Sequence, residues 1–237
     1  QGLMVKVGKN IYRGKVVRLA PQGDEPIVTL ENFNHSPTWA PSLNDNQYRG
    51  VMEWRVLNSK LTVINELPLE DYLKGLAEVS NTAPVEKQKV MAIIARSYAL
   101  YYLTKDDKFP GQPYDLDDDP NVSQKYLGYG YEKRSPAFVH AVNETADKVV
   151  TYQGEVIKTP YFSKSDGYTR SAKEVWGWTH TPYLVSVPDP LCNNPQGKLS
   201  GHGVGLSGCG AEEAARRGYS AEHILGYYYP GTEVKAL

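Results

Sequence analysis

The sequence has few cysteines and no long apolar run, and both features narrow the class of protein. Only two of its 237 residues are cysteine and 41% are hydrophobic, so the chain can bury a core without a disulfide framework. No segment is long and apolar enough to cross a membrane, and no secretory signal peptide is visible. The formal net charge is −1, which argues against a nucleic-acid partner held by bulk charge.

Motifs for metal and phosphate binding are also missing. The five histidines show no metal-ligand spacing such as H-E-x-x-H, and the segment GHGVGLSG lacks the lysine and spacing of a phosphate-binding loop. The acidic segment Asp115–Asn121 lacks the glycine and the final glutamate of an EF-hand loop. A solvated acidic turn is therefore favoured over a calcium site. We predict no metal and no cofactor.

The order of the predicted elements favours an α+β fold. Residues 1–65 resemble short strands separated by glycine and proline, with one hairpin that turns at Asn58-Ser59. A helix is predicted from Val85 to Leu103. The later segments predict, in order, a helix over 135–146, a hairpin at Gln153-Gly154, a strand over 184–187 and helices over 211–218 and 220–229. Strands followed by a buried helix and mixed elements are not typical of a regular βαβ array.

The helix predicted over residues 85–103 is apolar around nearly all of its surface, which indicates a buried helix. Arg96 is its only charged residue after Met91, and a buried charge needs a partner. Glu78, in the segment LAEVS, is one candidate partner, and buried carbonyl groups are the alternative. Apolar surroundings raise the pKa of a carboxylic acid, so Glu78 is a candidate general acid, against the alternative of an ordinary surface glutamate.

Two polar segments carry further candidates. The segment YFSKSDGYTR could hydrogen-bond a sugar through Ser163, Ser165, Asp166 and Thr169, although polar runs of this composition are usually just turns. The segment GHGVGLSG alternates glycine with other residues, which lets the backbone pass close to a ligand or to another segment. Its His202 is a candidate proton shuttle or ligand, or a core histidine.

Four motifs, taken in order, resemble the SpoIID/LytB domain family (sporulation stage II protein D). They are LPLEDYLKGLAEVS, AIIARSYALYYL, YFSKSDGYT…EVWG and GHGVGLSGCGAEEAARRGYSAEHILGYYYPGT, and the resemblance runs from about Tyr48 to Thr232. We expect a β-rich N-terminal extension over residues 1–47 and a SpoIID-like catalytic domain over 48–237, with the loop-rich residues 104–135 as a candidate subdomain. The expected fold packs the strand-rich part with a mixed α/β core around the buried helix, and forms an open glycan-binding cleft.

The resemblance implies a function on peptidoglycan. Sporulation members of the family are lytic transglycosylases that cleave glycan strands freed of stem peptides, whereas other members enhance a cell-wall amidase. The resemblance assigns the catalytic glutamate to Glu78 and the supporting arginine to Arg96. It assigns only a cleft-lining role to Ser163, Ser165, Asp166, Thr169 and His202. The expected partners are peptidoglycan glycan strands and a cell-wall amidase; a weaker alternative is a metal hydrolase that uses His202 with Asp166 or the acidic segment.

The sequence departs from the family pattern in three places. Asp166 stands where family members often have glycine, which adds a carboxylate near the expected cleft. Residues Val79–Pro84 form a longer turn where many members have Met-Pro. Some members bind zinc through Cys and His in a loop whose counterpart here carries Asp117, Asn121 and Val122, so that zinc site is not expected.

The two cysteines, Cys192 and Cys209, flank the glycine-rich segment and either form a disulfide or remain free small hydrophobic residues. Because the resemblance implies an extracellular or cell-envelope location, the disulfide is favoured. Anchoring by a preceding N-terminal segment is an open alternative for the location.

Overall fold

The computed structural model describes residues 2–36 and 40–237, so Gln1 and residues 37–39 of the predicted N-terminal extension lie outside the described residues. The chain divides into two compact units: residues up to Ala77 with Asp117–Arg134, and Glu78–Leu116 with Ser135–Leu237. Helices occupy 27% and strands 24%, and the strands form several small sheets, which confirms the predicted α+β class. The predicted functional boundary at residue 48 stays a prediction. Among the described residues, every helix is too short or too polar to span a membrane.

The first unit consists mostly of antiparallel strands. Its elements are β1 (Leu3–Val7), β2 (Asn10–Gly14), β3 (Val16–Leu19), β4 (Ile27–Thr29), β5 (Gln47–Arg49), β6 (Val51–Leu57), β7 (Lys60–Glu66), α1 (Leu69–Lys74) and α3 (Tyr129–Arg134). Strands β3, β6 and β7 form one sheet, while β1–β2 and β4–β5 are separate pairs. The β6–β7 hairpin turns at Asn58 and Ser59, with φ of 50° and 63°, as two-residue hairpin turns require. The predicted hairpin is confirmed.

Two bidentate ion pairs hold α3 to its neighbours in the first unit. Arg49 donates to Glu132 at 2.7 and 2.8 Å, and Arg134 donates to both oxygens of Asp45 at 2.6 Å. Because Asp45 is buried, its charge needs the arginine partner.

The acidic segment uses its side chains to bond its own backbone. Asp117 Oδ1 accepts a hydrogen bond from the Asp119 N–H, and Asp119 Oδ1 accepts one from the Asn121 N–H, both at 2.8 Å. Such bonds stabilise a tight turn. They fit the prediction of a solvated acidic turn.

The second unit contains the remaining elements. These are α2 (Val85–Thr104), α4 (Pro136–Glu144), β8 (Lys148–Tyr152), β9 (Glu155–Val156), β10 (Tyr161–Phe162), α5 (Ala172–Trp176), β11 (Leu206–Ser207), α6 (Gly208–Arg216), α7 (Ala221–Tyr228) and β12 (Glu233–Ala236). The predicted central helix and the hairpin at Gln153-Gly154 are confirmed. Strand β8 is central in the sheet β12–β8–β9, and β10 pairs in parallel with β11.

The strand predicted over residues 184–187 is wrong. These residues have no regular strand structure in the described chain. The Val187 N–H donates to the hydroxyl of Thr169 at 2.9 Å, and the Val187 carbonyl accepts from the Thr169 N–H at 2.9 Å. The hydroxyl of Thr169 thus accepts the bond that a backbone carbonyl of a neighbouring strand would accept. An apolar, β-branched sequence pattern does not indicate such a bond.

Helix α2 is the core of the second unit, because its apolar residues are buried around its circumference. Val90, Ile93 and Ile94 are fully buried, as are the small residues Ala92 and Ala99 on other faces. The helix packs against α4, β8, α6 and α7. The short alanine side chains allow this close approach from several sides.

Candidate active site

Glu78 is half-buried and begins the second unit, just before the turn that leads into α2. Hydrogen bonds to two helices hold this turn. Gln88 on α2 donates to the carbonyls of Asn81 and Ala83 at 3.3 and 2.8 Å. Asn81 Oδ1 accepts from the Ala137 N–H at the start of α4 at 2.9 Å. The longer turn that distinguishes this sequence is therefore fixed on both sides.

Lys87 is a charged residue near Glu78 that the sequence analysis did not identify. It lies in the first turn of α2 with its side chain buried, only 5% exposed. Burial lowers the pKa of Lys87 to about 8, and the negative charges of Glu212 and Glu78 oppose that shift. A lysine in the first turn of a helix is normally exposed, so the sequence carried no signal for this arrangement.

Arg96 lies in the core, only 1% exposed, and contacts carbonyl groups. Its Nη1 donates to the Lys148 carbonyl at 3.1 Å and its Nη2 to the Val142 carbonyl at 3.2 Å. Val142 lies in α4 and Lys148 begins β8, so Arg96 joins three elements of the second unit. These are the carbonyl contacts that the sequence allowed as one alternative. A role of Arg96 toward Glu78 stays a prediction.

The two polar segments lie side by side within the second unit. Strand β10, which begins one segment, pairs with β11, which ends the other. Backbone bridges also join Lys164 to Ser200 and Arg170 to Val204. The structure therefore brings five of the predicted site residues into one pair of adjoining loops: Ser163, Ser165, Asp166, Thr169 and His202.

Two residues of the first loop are fully buried and bonded inside the protein. The Ser165 hydroxyl donates to Asp189 Oδ2 at 2.6 Å, and the Thr169 hydroxyl accepts from the Val187 N–H. Asp189 is also buried and accepts from the Tyr228 hydroxyl at 2.8 Å. These bonds fix the shape of the loop. The assignment of Ser165 and Thr169 to substrate binding stays a prediction.

Asp189 is a second residue that the sequence analysis missed. A Cβ at Gly210 would lie 2.1 Å from Asp189 Oδ1 and 2.1 Å from the Tyr228 hydroxyl, so only glycine allows this approach. The burial of Asp189 depends on this contact between α6 and a segment 21 residues earlier. A local sequence pattern does not encode it.

A disulfide between Cys192 and Cys209 joins the segment after Asp189 to the start of α6, with a Cα–Cα distance of 4.9 Å. The favoured alternative is therefore confirmed. One oxygen of Asp189 and the two sulfurs lie within 4.8 Å of one another. Because both sulfurs are in the disulfide, neither offers a thiolate to a metal ion.

Ser163 and Asp166 are on the exposed side of the first loop. Asp166 forms an ion pair with Arg170 at 2.7 Å, and this hydrogen-bonded guanidinium lowers the pKa of the Asp166 carboxyl. The extra carboxylate of this sequence is thus ionised and paired with a cation of its own loop.

His202 is half-buried between aromatic rings and the backbone. Its Nδ1 accepts from the Val204 N–H at 3.0 Å, so the neutral ring carries its proton on Nε2. Burial lowers the pKa of His202, and a hydrogen bond to the Tyr161 backbone opposes the shift. The ring centroid lies 4.8 Å from that of Trp176 and 5.9 Å from that of Phe162. His202 is therefore neutral at pH 7 and surrounded by rings.

Comparison with known proteins identifies the family. Residues 57–152 match the model of the SpoIID family, described as stage II sporulation protein. Stage II sporulation protein D of Bacillus subtilis is 30% identical over 138 residues, which cover 54% of this chain and 40% of that protein. An uncharacterized protein of Brachyspira hyodysenteriae is 36% identical over 154 residues, 64% of this chain and 40% of that protein. The chain belongs to the SpoIID/LytB family.

A further relative carries a different name. The amidase enhancer of Bacillus subtilis is 31% identical over 166 residues, which cover 68% of this chain and 22% of that protein. The chain thus spans 40% or less of the length of these relatives. All seven predicted site residues lie in the second structural unit, but only Glu78 and Arg96 lie within the family match at 57–152.

Proposed function

We propose that this chain is a peptidoglycan lytic transglycosylase that cleaves the MurNAc-GlcNAc bonds of peptide-free glycan strands. The observation that supports this most is the family match over residues 57–152, which contains Glu78 and Arg96. The resemblance assigns the catalytic glutamate to Glu78. The setting of Glu78 suits that role, because it is half-buried on a turn that Gln88 and Asn81 hold in place.

The reaction needs one acid–base group from the protein. The Glu78 carboxyl gives its proton to the glycosidic oxygen as the bond from C1 of the muramic acid to that oxygen breaks. The C6 hydroxyl of the same sugar then bonds to C1 and passes its proton to the Glu78 carboxylate. The products are a 1,6-anhydro-muramic end and a free hydroxyl on the leaving sugar, and Glu78 is protonated again. No water is consumed.

Other residues act around this step. Lys87 favours the ionised Glu78 that forms after the first proton transfer. Arg96 positions α2 by bonding the end of α4 and the start of β8. The adjoining loops with Ser163, Asp166 and His202 form the glycan-binding surface.

The test compares wild type with Glu78→Gln on glycan strands that an amidase has freed of stem peptides. We expect wild type to release anhydro-muramic products and the variant to bind the strands but release none. Glu155→Gln, which changes an exposed glutamate on β9, is the matched control and is expected to retain activity. An equally active Glu78→Gln protein would contradict the assignment.

A second candidate function is a wall-binding module that stimulates an N-acetylmuramoyl-L-alanine amidase and has no catalysis of its own. The likeness to the amidase enhancer supports it, at 31% identity over 166 residues. Under this alternative, wild type leaves denuded glycan intact but raises the rate at which an added amidase releases stem peptides. Stimulation that is unchanged in Glu78→Gln, together with no anhydro product from wild type, would favour it over the first candidate.

A further inference from the structure

Two half-buried tryptophans form an aromatic pair next to the candidate site. The centroids of Trp176 and Trp178 lie 4.5 Å apart with 39° between the ring planes. Trp176 ends α5, and Gly177, with φ of 73°, turns the chain so that the next indole faces the same side. A capping box between Ser171 and Glu174 fixes the start of this short helix. The geometry of the pair is therefore set before any ligand binds.

The tryptophan pair (Trp176 and Trp178) extends the group of aromatic rings that contacts His202. The His202 centroid is 4.8 Å from that of Trp176, so one edge of the pair begins at a predicted substrate-binding residue. At the other end, the Lys158 ammonium lies 4.4 Å from the centroid of Trp178. The rings form one continuous series in the second unit.

Lys158 holds the outer end of this series in place. Its ammonium also lies 4.9 Å from the Tyr101 centroid and 4.8 Å from the Tyr102 centroid, and it pairs with Asp106 at 3.2 Å. A cation surrounded by three rings and fixed by a carboxylate restricts the Trp178 indole. Rigid rings lose little conformational entropy when a ligand binds.

Both indoles are only half-buried, and the residues next to them in sequence are polar and exposed. Trp176 and Trp178 retain solvent exposure, while Lys173, Glu174 and Thr179 are exposed. A surface that combines rigid aromatic faces with polar neighbours is suited to a ligand that has an apolar face and a polar rim. A pyranose ring has this form, because its axial C–H groups lie on one face and its hydroxyl and acetamido groups lie around the edge.

We propose that the tryptophan pair is a glycan subsite, on which an N-acetylated hexose of the strand stacks beside the sugar bound near His202. The C–H face of the sugar carries a slight positive potential and contacts the solvent-exposed parts of the two indoles. The subsite rests on the proposed function for its ligand, since a glycan strand extends over several sugars. It adds binding residues beyond those of the polar loops.

The experiment measures binding separately from cleavage. Peptide-free glycan strands are titrated into Glu78→Gln protein by calorimetry, so that the ligand is not consumed, and Trp176→Ala and Trp178→Ala are added in turn. We expect each to weaken binding about tenfold, and Trp178→Phe to recover part of the loss. Tyr219→Ala is the matched control, because it removes an exposed ring that stacks on His223 with centroids 4.9 Å apart, outside this series. Its affinity is expected to be unchanged.

A second readout keeps the test valid if an alanine variant does not fold. In the protein with both indoles intact, the strands are expected to shift the indole N–H resonances of Trp176 and Trp178. Unshifted resonances under saturating ligand, or folded alanine variants that bind as tightly as their parent, would overturn the subsite. Alanine variants that bind glycan normally but no longer stimulate an amidase would also overturn the subsite, in favour of a protein-docking role for the tryptophan pair. A failure of the proposed activity is distinct: wild type would then release no anhydro product, whatever the tryptophan variants bind.

Discussion

The buried ammonium of Lys87 interacts electrostatically with the carboxylate of Glu78, nine residues earlier in the chain, and with Glu212 on α6. The interaction couples the residue proposed for catalysis to the core of the second unit. The burial of Lys87 also removes a charged group from water, which costs free energy. Both consequences can be measured.

The first prediction concerns stability and pH. The folded-state pKa of Lys87, about 8, is below its ordinary 10.5, so between these values the unfolded chain binds more protons and the free energy of unfolding rises with pH. Below about pH 8 the side chain of Lys87 is charged in the folded state, so the cost of burying that charge lowers the free energy of unfolding. We expect Lys87→Met to be more stable at neutral pH, by on the order of 1–3 kcal/mol. Urea unfolding on both sides of pH 8 checks this; a variant with the wild-type pH slope would contradict it.

The second prediction concerns the pH dependence of activity. Protonated Glu78 starts the proposed reaction, so its ionisation sets the alkaline limb of kcat/KM. A nearby cation favours the ionised carboxylate. Lys87→Met should therefore move the alkaline limb to higher pH, whereas Lys89→Met, which removes a cation paired with Glu86, should leave the limb in place. An unmoved limb in Lys87→Met would show that the lysine does not act through Glu78.

The third prediction concerns the buried Asp189. Its carboxylate accepts from the Ser165 and Tyr228 hydroxyls at 2.6 and 2.8 Å. Asp189→Ala leaves both buried donors unpaired, so we expect a loss of about 2–4 kcal/mol in the free energy of unfolding. Asp166→Asn, which removes a more exposed ion pair, should cost at most about 1 kcal/mol. Chemical denaturation of the two variants gives the comparison, and equal losses would refute the structural role of Asp189.

The fourth prediction concerns Arg96. Its bonds to the carbonyls of Lys148 and Val142 are made inside the core. Lysine has one ammonium on a flexible stem and does not reproduce the planar guanidinium. Arg96→Lys should therefore lower stability by about 2–4 kcal/mol while kcat, measured well below the melting temperature of the variant, stays close to wild type. A stable variant with a much lower kcat would instead indicate direct action on Glu78 or the sugar.

Part of this structure follows from the sequence and part does not. The apolar pattern of residues 85–103 predicts α2, and the turn residues Asn58-Ser59 and Gln153-Gly154 predict the two hairpins. All four turn residues have positive φ in the structure. These predictions succeed because their signals are local. The 184–187 strand was wrong because a threonine hydroxyl takes the bond that a neighbouring strand would make. The resemblance, and not periodicity, provided the candidate site.

Burial of polar residues is the feature that the sequence predicts least. Ser165 and Thr169 resemble exposed turn residues, yet both are enclosed. Lys87 and Asp189 carry charges that would normally face water, and both interact with residues far along the chain: Glu212 for the lysine, Tyr228 and Gly210 for the aspartate. Such contacts exist only once the elements have packed.

In the proposed reaction the C6 hydroxyl of the sugar, and not water, attacks C1 as Glu78 protonates the glycosidic oxygen. Mass spectrometry of peptide-free glycan digested by wild type in ¹⁸O-water tests it directly. We expect products that end in 1,6-anhydro-muramic acid and carry no ¹⁸O, and we expect these products to be absent from the Glu78→Gln digest. Products one water heavier that carry ¹⁸O, or intact strands after prolonged incubation with wild type, would contradict it.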